Sequence, residues 1–367
     1  MTISTSLGDA QALRAQRCFN AAFKLGRAEH FMAAEGLLHR GRQVLGLQRQ
    51  EPQWAARIGY LEGALDYFRG DTASALERTR AAAAQAAVLG DPDLCGRCEG
   101  LAAVQCVQLD RPAEAVRLAA LALQRPSVRR HPGHYFALMA LATLCLTHGE
   151  RRDAWRLFGA AMVEARLNGD SKGSAAAVAR MSHGQALAVL LDDADGQDDT
   201  EALKQALVGI LTSIRMDASA GFAPEQLTHV LAAALQRRLG NARAALKLVQ
   251  ACPPAAIESD NPVLGTCRLF EECLCLLALG GVDDARREVD RADWPVPGEP
   301  GGALGTLRAL ALTSGAAVLD GLSMPETARM ADVARQARRD LRSRGACALP
   351  ELAALLREPR MASLLGN

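Results

Sequence analysis

Apolar helical stretches alternate along this sequence with short polar breaks, and one arrangement of the two returns several times. It consists of an apolar helix, a glycine beside a polar residue, and a second helix that opens with alanine followed by an apolar side chain; residues 68–76 show it most clearly. Apolar positions that recur every three or four residues indicate amphipathic helices. Valine, isoleucine and threonine are too scattered for the alternation of a half-buried strand. The sequence therefore predicts an all-α chain.

Five clear copies of this unit set its length. They lie at residues 68–76, 109–116, 148–155, 239–246 and 280–286. The alanines that mark the second helices are Ala75, Ala115, Ala154, Ala245 and Ala285. Successive intervals are 40, 39, 91 and 40 residues, and the long one leaves room for a further unit near Ala202. Weaker copies at 26–34 and 325–328 raise the expected number to about seven or eight antiparallel helix pairs with atypical ends, as in helical solenoids.

Each marked position of the unit has a physical role. A glycine at the end of the first helix can take the left-handed conformation that terminates it, and the polar residue after it starts a tight turn. The alanine allows the two helices to approach closely. A small residue also stands seven positions before each turn, on the helix face that meets the partner helix. These small residues are Gly63, Ala103, Ala142, Ala233 and Cys273.

This pattern resembles the tetratricopeptide repeat, whose first helix carries a small residue, whose turn is Gly-Asp or similar, and whose second helix opens with Ala-Leu. The resemblance spans about residues 14–344 and implies a right-handed α-α superhelix that binds other proteins. The early aromatic of the usual repeat is mostly absent, and a period of about 40 residues exceeds the usual 34. Longer units with Leu-Gly-Asp between repeats, as at 89–91, are similar to those of bacterial signalling proteins and large transcriptional regulators.

One repeat domain over residues 1–367 is the expected organisation, with capping helices over 325–367. Residues 192–200 form a predicted acidic loop that lacks the ligand spacing of a calcium site; we interpret it as solvated and as favouring the dipole of the helix that follows. Residues 294–302 contain three prolines and three glycines and are predicted to form a second loop. The apolar run over 349–365 either caps the last repeat or forms a dimer contact.

Charge and apolar content narrow the functional classes. A formal net charge of +1 removes the simplest electrostatic argument for nucleic-acid or membrane-surface binding. No apolar stretch reaches the roughly 18 residues of a membrane span, and no charged start precedes an apolar run. We therefore expect a cytoplasmic protein. Its ten cysteines are expected to be thiols that pack as small apolar side chains.

Motifs that would indicate catalysis are missing from the sequence: it has no nucleophile elbow, phosphate-binding loop or His-Glu-x-x-His. Cys95 and Cys98 share a helix face, and Cys106, His131 and His134 could complete a zinc site with them. A second cysteine pair is missing, so packing is the interpretation we favour. All seven histidines are spread singly, which favours surface or interface positions; they are His30, His39, His131, His134, His148, His183 and His229. We expect no metal, no cofactor and no enzymatic activity.

The candidate binding residues follow from the geometry of a helical solenoid, in which the first helices of successive units line the concave surface where peptides bind. Counting from the small packing residues gives the side chains that are expected to face inward. They are Arg57, Tyr60, Tyr67, Arg97 and Val104 in the early repeats, and Arg237, Arg238 and Phe270 in the later ones. Arginine and tyrosine often anchor interfaces; ordinary solvated side chains are the alternative.

The helix predicted over 326–343, together with Arg344 directly after it, carries more arginines than acidic residues. The arginines are Arg329, Arg335, Arg338, Arg339, Arg342 and Arg344. An acidic partner or nucleic acid is one interpretation, but no aromatic side chains accompany the arginines, and we favour a solvated capping face. The leading hypothesis is therefore a scaffold or regulatory module that holds a protein or peptide segment in its groove. A module that senses a peptide or small effector is the second hypothesis, an enzyme or zinc protein is the third, and the oligomeric state is open.

Overall fold

The described part of the chain is helical apart from turns and short segments at the ends of helices. The computed structural model describes residues 7–28, 30–125, 132–148, 150–191, 199–219, 225–252, 262–291, 303–346, 350–359 and 361. Within these ranges it has seventeen α-helices, one short 3-10 helix and no strand. The all-α class is confirmed. The expected loop at 294–302 and residues 192–198 of the acidic segment lie outside the described residues.

The helices follow one another along the chain. They are α1 (Leu7–Arg27), α2 (Phe31–Leu45), the 3-10 helix (Gly46–Gln50), α3 (Pro52–Phe68), α4 (Thr72–Val88), α5 (Pro92–Gln108), α6 (Pro112–Gln124), α7 (Pro132–Thr147), α8 (Arg151–Leu167), α9 (Ser171–Leu191), α10 (Thr200–Ser219), α11 (Gln226–Arg238), α12 (Ala242–Gln250), α13 (Pro262–Ala278), α14 (Val282–Arg291), α15 (Ala303–Gly321), α16 (Thr327–Ala346) and α17 (Pro350–Leu356). Six of these helices begin with proline, which costs no hydrogen bond at that position. In the described part of the chain, no helix combines the length and the apolar character that crossing a bilayer requires.

These helices group into two compact units. Unit 1 comprises Met1–Leu144, Ala160–Gly173 and Leu349–Asn367, and unit 2 comprises Cys145–Gly159 and Ser174–Ala348. In unit 1, α1 packs with α2, α3 with α4, and α5 with α6; in unit 2, α11 packs with α12, α13 with α14, and α15 with α16. Such pairing of neighbours is the arrangement of helical repeats. The right-handed superhelix implied by the resemblance stays a prediction.

The turns between paired helices share one geometry. Gly70, Gly240 and Gly280 have φ angles of 92°, 84° and 84°. In each turn the residue after the glycine donates its N–H to the carbonyl four positions before the glycine, at 2.9–3.0 Å, which is the Schellman closure of a helix end. Asp110 takes the same conformation in the third pair, with a φ of 56°. The predicted role of the turn glycines is confirmed.

The predicted packing positions are confirmed as well. Ala75, Ala115, Ala154, Ala245 and Ala285 are each 0% exposed, as are Ala103, Ala142, Ala233 and Cys273. Gly63 shows why these residues are small. A Cβ atom there would lie 2.6 Å from Oγ1 of Thr79 and 3.1 Å from the carbonyl oxygen of Ala75, so α3 and α4 meet at a point where only glycine fits.

Aromatic side chains fix the first helices of unit 1 against each other. The ring of Phe23 in α1 stacks on Tyr60 in α3 with centroids 6.1 Å apart, and it meets Phe68 edge-on at 5.6 Å. Phe19 and Trp54 form a second pair between the same helices at 6.1 Å. Offset and edge-on aromatic pairs add to the stability that burial provides. This packing determines where the polar side chains of α1 and α3 lie.

Candidate binding surface on the first helices of unit 1

Two arginines occupy equivalent positions in consecutive repeats. Arg57 lies six residues before Gly63 in α3, and Arg97 lies six residues before Ala103 in α5. Their side chains are 43% and 33% exposed. Because α3 and α5 pack against each other, the 40-residue repeat places two guanidinium groups on corresponding faces of adjacent first helices.

Neighbouring first helices hold Arg57 in place. Its Nη1 donates to Oε1 of Gln16 in α1 at 3.0 Å, and its Nη2 donates to Oδ2 of Asp91 at 3.4 Å. Asp91 also caps α5, since its Oδ1 accepts the N–H of Leu94 at 3.0 Å. The guanidinium carbon lies 5.5 Å from the ring centroid of Trp54, within the range of a cation-π interaction. The side chain is therefore oriented and partly exposed at once.

Arg97 and Tyr60 bring two unsatisfied polar atoms into the interior of unit 1. Nη2 of Arg97 pairs with Oδ2 of Asp93 at 2.9 Å, but its Nε is buried and has no hydrogen-bond partner in the described residues. The hydroxyl of Tyr60 is buried and equally lacks a partner there. Burial raises the pKa of Tyr60, against the opposing effect of the nearby positive charge of Arg97. Tyr60 is thus an interior residue, which differs from the expectation that it is open to a partner.

Tyr67 lies half-buried near the end of α3. Its hydroxyl accepts a hydrogen bond from Nε2 of Gln108 in α5 at 3.4 Å. Val104, which also lies in α5, is partly exposed. The early candidates that stay accessible are therefore Arg57, Tyr67, Arg97 and Val104.

Arg27 is a buried contact in unit 1 that the sequence did not indicate. It ion-pairs with Asp170, and its guanidinium carbon lies 4.7 Å from the ring centroid of Tyr135 and 5.4 Å from that of Phe136. The side chain is 9% exposed. Arg27 and Asp170 are 143 residues apart, so no local spacing could reveal the pair. The only local signal is that Asp170 follows Gly169, as a polar residue follows glycine in the marked turns.

The three candidates in the later repeats form contacts within unit 2. Arg237 forms an ion pair with Glu271, which is 2% exposed. Nη1 of Arg238 donates to the carbonyl of Leu190 at 3.1 Å. Phe270 is 1% exposed and belongs to an apolar cluster. Phe270 therefore lies in the core, which differs from the expectation that it faces a groove. The inward orientation expected for Arg237 and Arg238, which are partly exposed, stays a prediction.

Helix α16 contains the arginine-rich segment. Arg329, Arg335 and Arg339 are exposed. Arg335 pairs with Asp332 on the same helix, and pairs of this kind contribute little to stability. Exposure of these arginines fits a solvated face and a partner surface alike, so the preference for a solvated face stays a prediction.

The candidate zinc ligands of α5 are buried thiols. Burial raises the pKa of Cys95, Cys98 and Cys106, that of Cys106 to about 11. They are therefore protonated near neutral pH unless a bound metal ion displaces the proton. Across the described ranges, no three His, Cys, Asp or Glu side chains are grouped in a way that would hold a metal ion. His131 lies outside those ranges.

Among the described histidines, His183 lies in the interior, and the expectation of a surface or interface position is wrong for it. His183 in α9 is 3% exposed, and its Nε2 lies 2.8 Å from Oγ1 of Thr228. Burial lowers its pKa to about 4. The buried residues Ala179 and Ala186 flank it at helical spacing, so the apolar periodicity of α9 was the signal that could have placed it.

No protein-family model matches this chain, and no curated protein matches it. The resemblance to tetratricopeptide repeats therefore depends on three features of the chain itself: the spacing of its units, the left-handed turn residues and the paired helices.

Proposed function

We propose that this chain is a tetratricopeptide-like binding module, without enzymatic activity, that holds a segment of another protein against the first helices of unit 1. The observation that carries the proposal is the pair Arg57 and Arg97, which lie one repeat apart, stay partly exposed and are each oriented by an aspartate at the start of α5. Oriented arginines are typical anchors of interfaces. The long repeat, similar to that of bacterial regulators, supports a regulatory role.

The chemistry of these arginines suits an extended segment rather than a highly acidic one. Asp91 and Asp93 already offset the charges of Arg57 and Arg97. A guanidinium group has five N–H donors, and the neighbouring aspartates and Gln16 use only part of them on Arg57. Adjacent packed helices lie about 8–10 Å apart, a distance that a peptide spans with about three residues. Backbone carbonyls and single carboxylates are therefore the acceptors that we propose.

The proposal is tested by affinity purification from lysate of the native cells with three immobilised full-length chains. One is unaltered, one carries Arg57→Ala and Arg97→Ala, and the control carries Arg80→Ala and Arg117→Ala. Arg80 and Arg117 are 42% and 63% exposed on second helices and are also ion-paired, so the control loses the same number of charged side chains. We expect a partner that the unaltered chain and the control retain and that the first variant loses.

Two outcomes would contradict the proposal. Retention by both variants would show that the two first-helix arginines do not contact the partner. Equal loss from both would show that the partner responds to charge in general. The dissociation constant of the identified partner, measured by calorimetry with the purified full-length variants, then gives the contribution of each arginine.

A small-effector sensor is the second candidate function, and the unsatisfied atoms of Tyr60 and Arg97 favour it. The Tyr60 hydroxyl and the Arg97 Nε–H can both donate, so each could pair with a small acceptor such as a carboxylate. Buried donors without partners are costly, and a bound acceptor would remove that cost. Native mass spectrometry of the purified chain tests this: a small bound species should be present in the unaltered protein and absent from Tyr60→Phe.

A further inference from the structure

Helices α4 and α6 are the second helices of consecutive helix pairs. One face of α6 is apolar, whereas the same face of α4 is exposed to solvent. Equivalent positions of the two helices are 40 residues apart. Leu118 stands where α4 has the exposed Arg78, and it is 9% exposed. Leu121 stands where α4 has the exposed Ala81, and it is half-buried. Another element of the chain must therefore cover this face of α6.

Helix α17 packs against α6 within unit 1, and it is the element that we assign to this face. Leu352 and Leu355 of α17 are 3% and 5% exposed, whereas Glu351 and Ala354 are exposed. Residues three apart lie on the same side of a helix, so the two leucines form one apolar edge. Met361, further along the same segment, is 2% exposed. The segment therefore docks by one face, as an amphipathic helical ligand does.

The docked helix depends on this contact for its structure. It has seven residues, and helices shorter than about 12 residues are marginal in water on their own. The chain passes from unit 2 to unit 1 between Ala348 and Leu349, directly before α17. Elements held by few apolar side chains open at lower free energies than the core does. We therefore expect α17 to open while the rest of the chain stays folded.

We propose that the face of α6 marked by Leu118 and Leu121, the α6 docking face, is a binding site for amphipathic helices with two leucines one turn apart. Residues 350–361 are its built-in ligand. A helix with the same Leu-x-x-Leu pattern on a partner protein displaces α17 and occupies the face in its place. This site lies on a second helix, so it is independent of the first-helix surface in the proposed function.

The probe is a fluorescein-labelled synthetic peptide of residues 350–361, and its binding to full-length chains is followed by fluorescence anisotropy. We expect Leu355→Asp to bind the peptide at least about tenfold more tightly than the unaltered chain, in which the tethered segment competes at high effective concentration. The matched control is Ala354→Asp, which adds the same charge at an exposed position of the same helix. It should bind as weakly as the unaltered chain, and a probe with Leu352→Asp and Leu355→Asp should bind neither.

Amide hydrogen exchange of the unaltered chain provides a second test that needs no variant. Saturating peptide should speed the exchange of residues 350–356 at least about tenfold while α6 stays protected. Far-UV circular dichroism establishes that each variant is folded; if Leu355→Asp is not, this exchange experiment decides alone. Equal binding by the unaltered chain and folded Leu355→Asp, absence of binding by that variant, or binding without faster exchange would overturn the proposal. Dimers of the unaltered chain that exchange α17 would instead assign the face to a second copy.

Discussion

Nε2 of His183 lies 2.8 Å from Oγ1 of Thr228 and joins α9 to α11 in the interior of unit 2. The imidazole is 3% exposed, and its Nδ1 has no hydrogen-bond partner within the described residues. Burial lowers the pKa of this ring to about 4; the negative charge of Glu225 opposes the shift and the positive charge of Arg180 adds to it. The folded protein therefore holds the neutral imidazole near neutral pH.

Acid should destabilise the chain through this histidine. A histidine in the unfolded chain titrates near pH 6.5, whereas His183 in the folded chain titrates at about 4. The unfolded state thus binds the proton first as the pH is lowered. The contribution of His183 to the free energy of unfolding is therefore full above about pH 6.5, and it falls by at most about 3 kcal/mol as the pH is lowered toward 4. Thermal unfolding at a series of pH values measures this loss.

The variant His183→Asn isolates the effect, because carboxylates titrate in part of the same range. We expect the variant to be less stable at neutral pH and to lose less stability between about pH 6.5 and 4 than the unaltered chain does. His39→Asn, at an exposed position of α2, is the control and should keep the original slope. An unchanged slope in His183→Asn would contradict the assignment to His183.

Replacing Tyr60 by phenylalanine should leave the free protein equally stable or stabilise it by up to about 1 kcal/mol. Its buried hydroxyl has no partner in the described residues, and removing an unsatisfied buried polar group removes its desolvation penalty. Tyr67→Phe, which loses the hydrogen bond from Gln108, is the matched control and should be slightly destabilised. Denaturant unfolding measures both. A loss of more than about 1 kcal/mol in Tyr60→Phe would show that the hydroxyl is satisfied in solution.

The repeat could be predicted from the sequence because its determinants are local. Ala75 and Ala115 are 0% exposed where the spacing placed them, since helix pairing requires small residues at fixed distances from the turn. Gly70 has the positive φ that a helix end of this kind requires. Each of these features depends on residues within one unit of the chain, so a single sequence is enough to locate them.

Burial of the candidate site residues could not be predicted in the same way. Counting along the first helices selected Phe270 and Arg57 by the same rule, yet Phe270 is in the core and Arg57 is partly exposed. The difference depends on which distant elements pack over each helix. Arg27 pairs with Asp170, which lies 143 residues away in the sequence, and α17 packs against α6. Such contacts are set by tertiary packing, which no periodicity within a unit encodes.

Gly63→Ala should destabilise the chain by about 1–3 kcal/mol, because an added methyl group overpacks the contact between α3 and α4. The new Cβ would lie 2.6 Å from Oγ1 of Thr79, and the helix backbone of α4 stands directly behind it. Gly36→Ala in α2 is the matched control. Its Cβ would have no neighbour within 4 Å, so higher helix propensity should stabilise this variant by about 0.5–1 kcal/mol. Chemical denaturation measures both changes, and the same sign in both would rule out the close approach at Gly63.

Arg237→Ala should destabilise unit 2 by about 3 kcal/mol or more, because it leaves the carboxylate of Glu271 buried without its charge partner. Glu271 is 2% exposed, and Arg237 is 22% exposed. The exposed pair of Arg287 and Asp284 in α14, with side chains 66% and 56% exposed, provides the comparison. Arg287→Ala should change stability by about 0.5 kcal/mol or less, since water screens that pair.

Arg237→Ala and Arg287→Ala each remove one guanidinium group from an ion pair in unit 2. The difference between their stability losses therefore reports the effect of burying the pair, because the loss of charge is the same in both. Unfolding in denaturant near neutral pH measures the stability loss of both variants. Equal stability losses for Arg237→Ala and Arg287→Ala would mean that Glu271 finds another donor when Arg237 is removed, and that the ion pair does not fix α11 against α13.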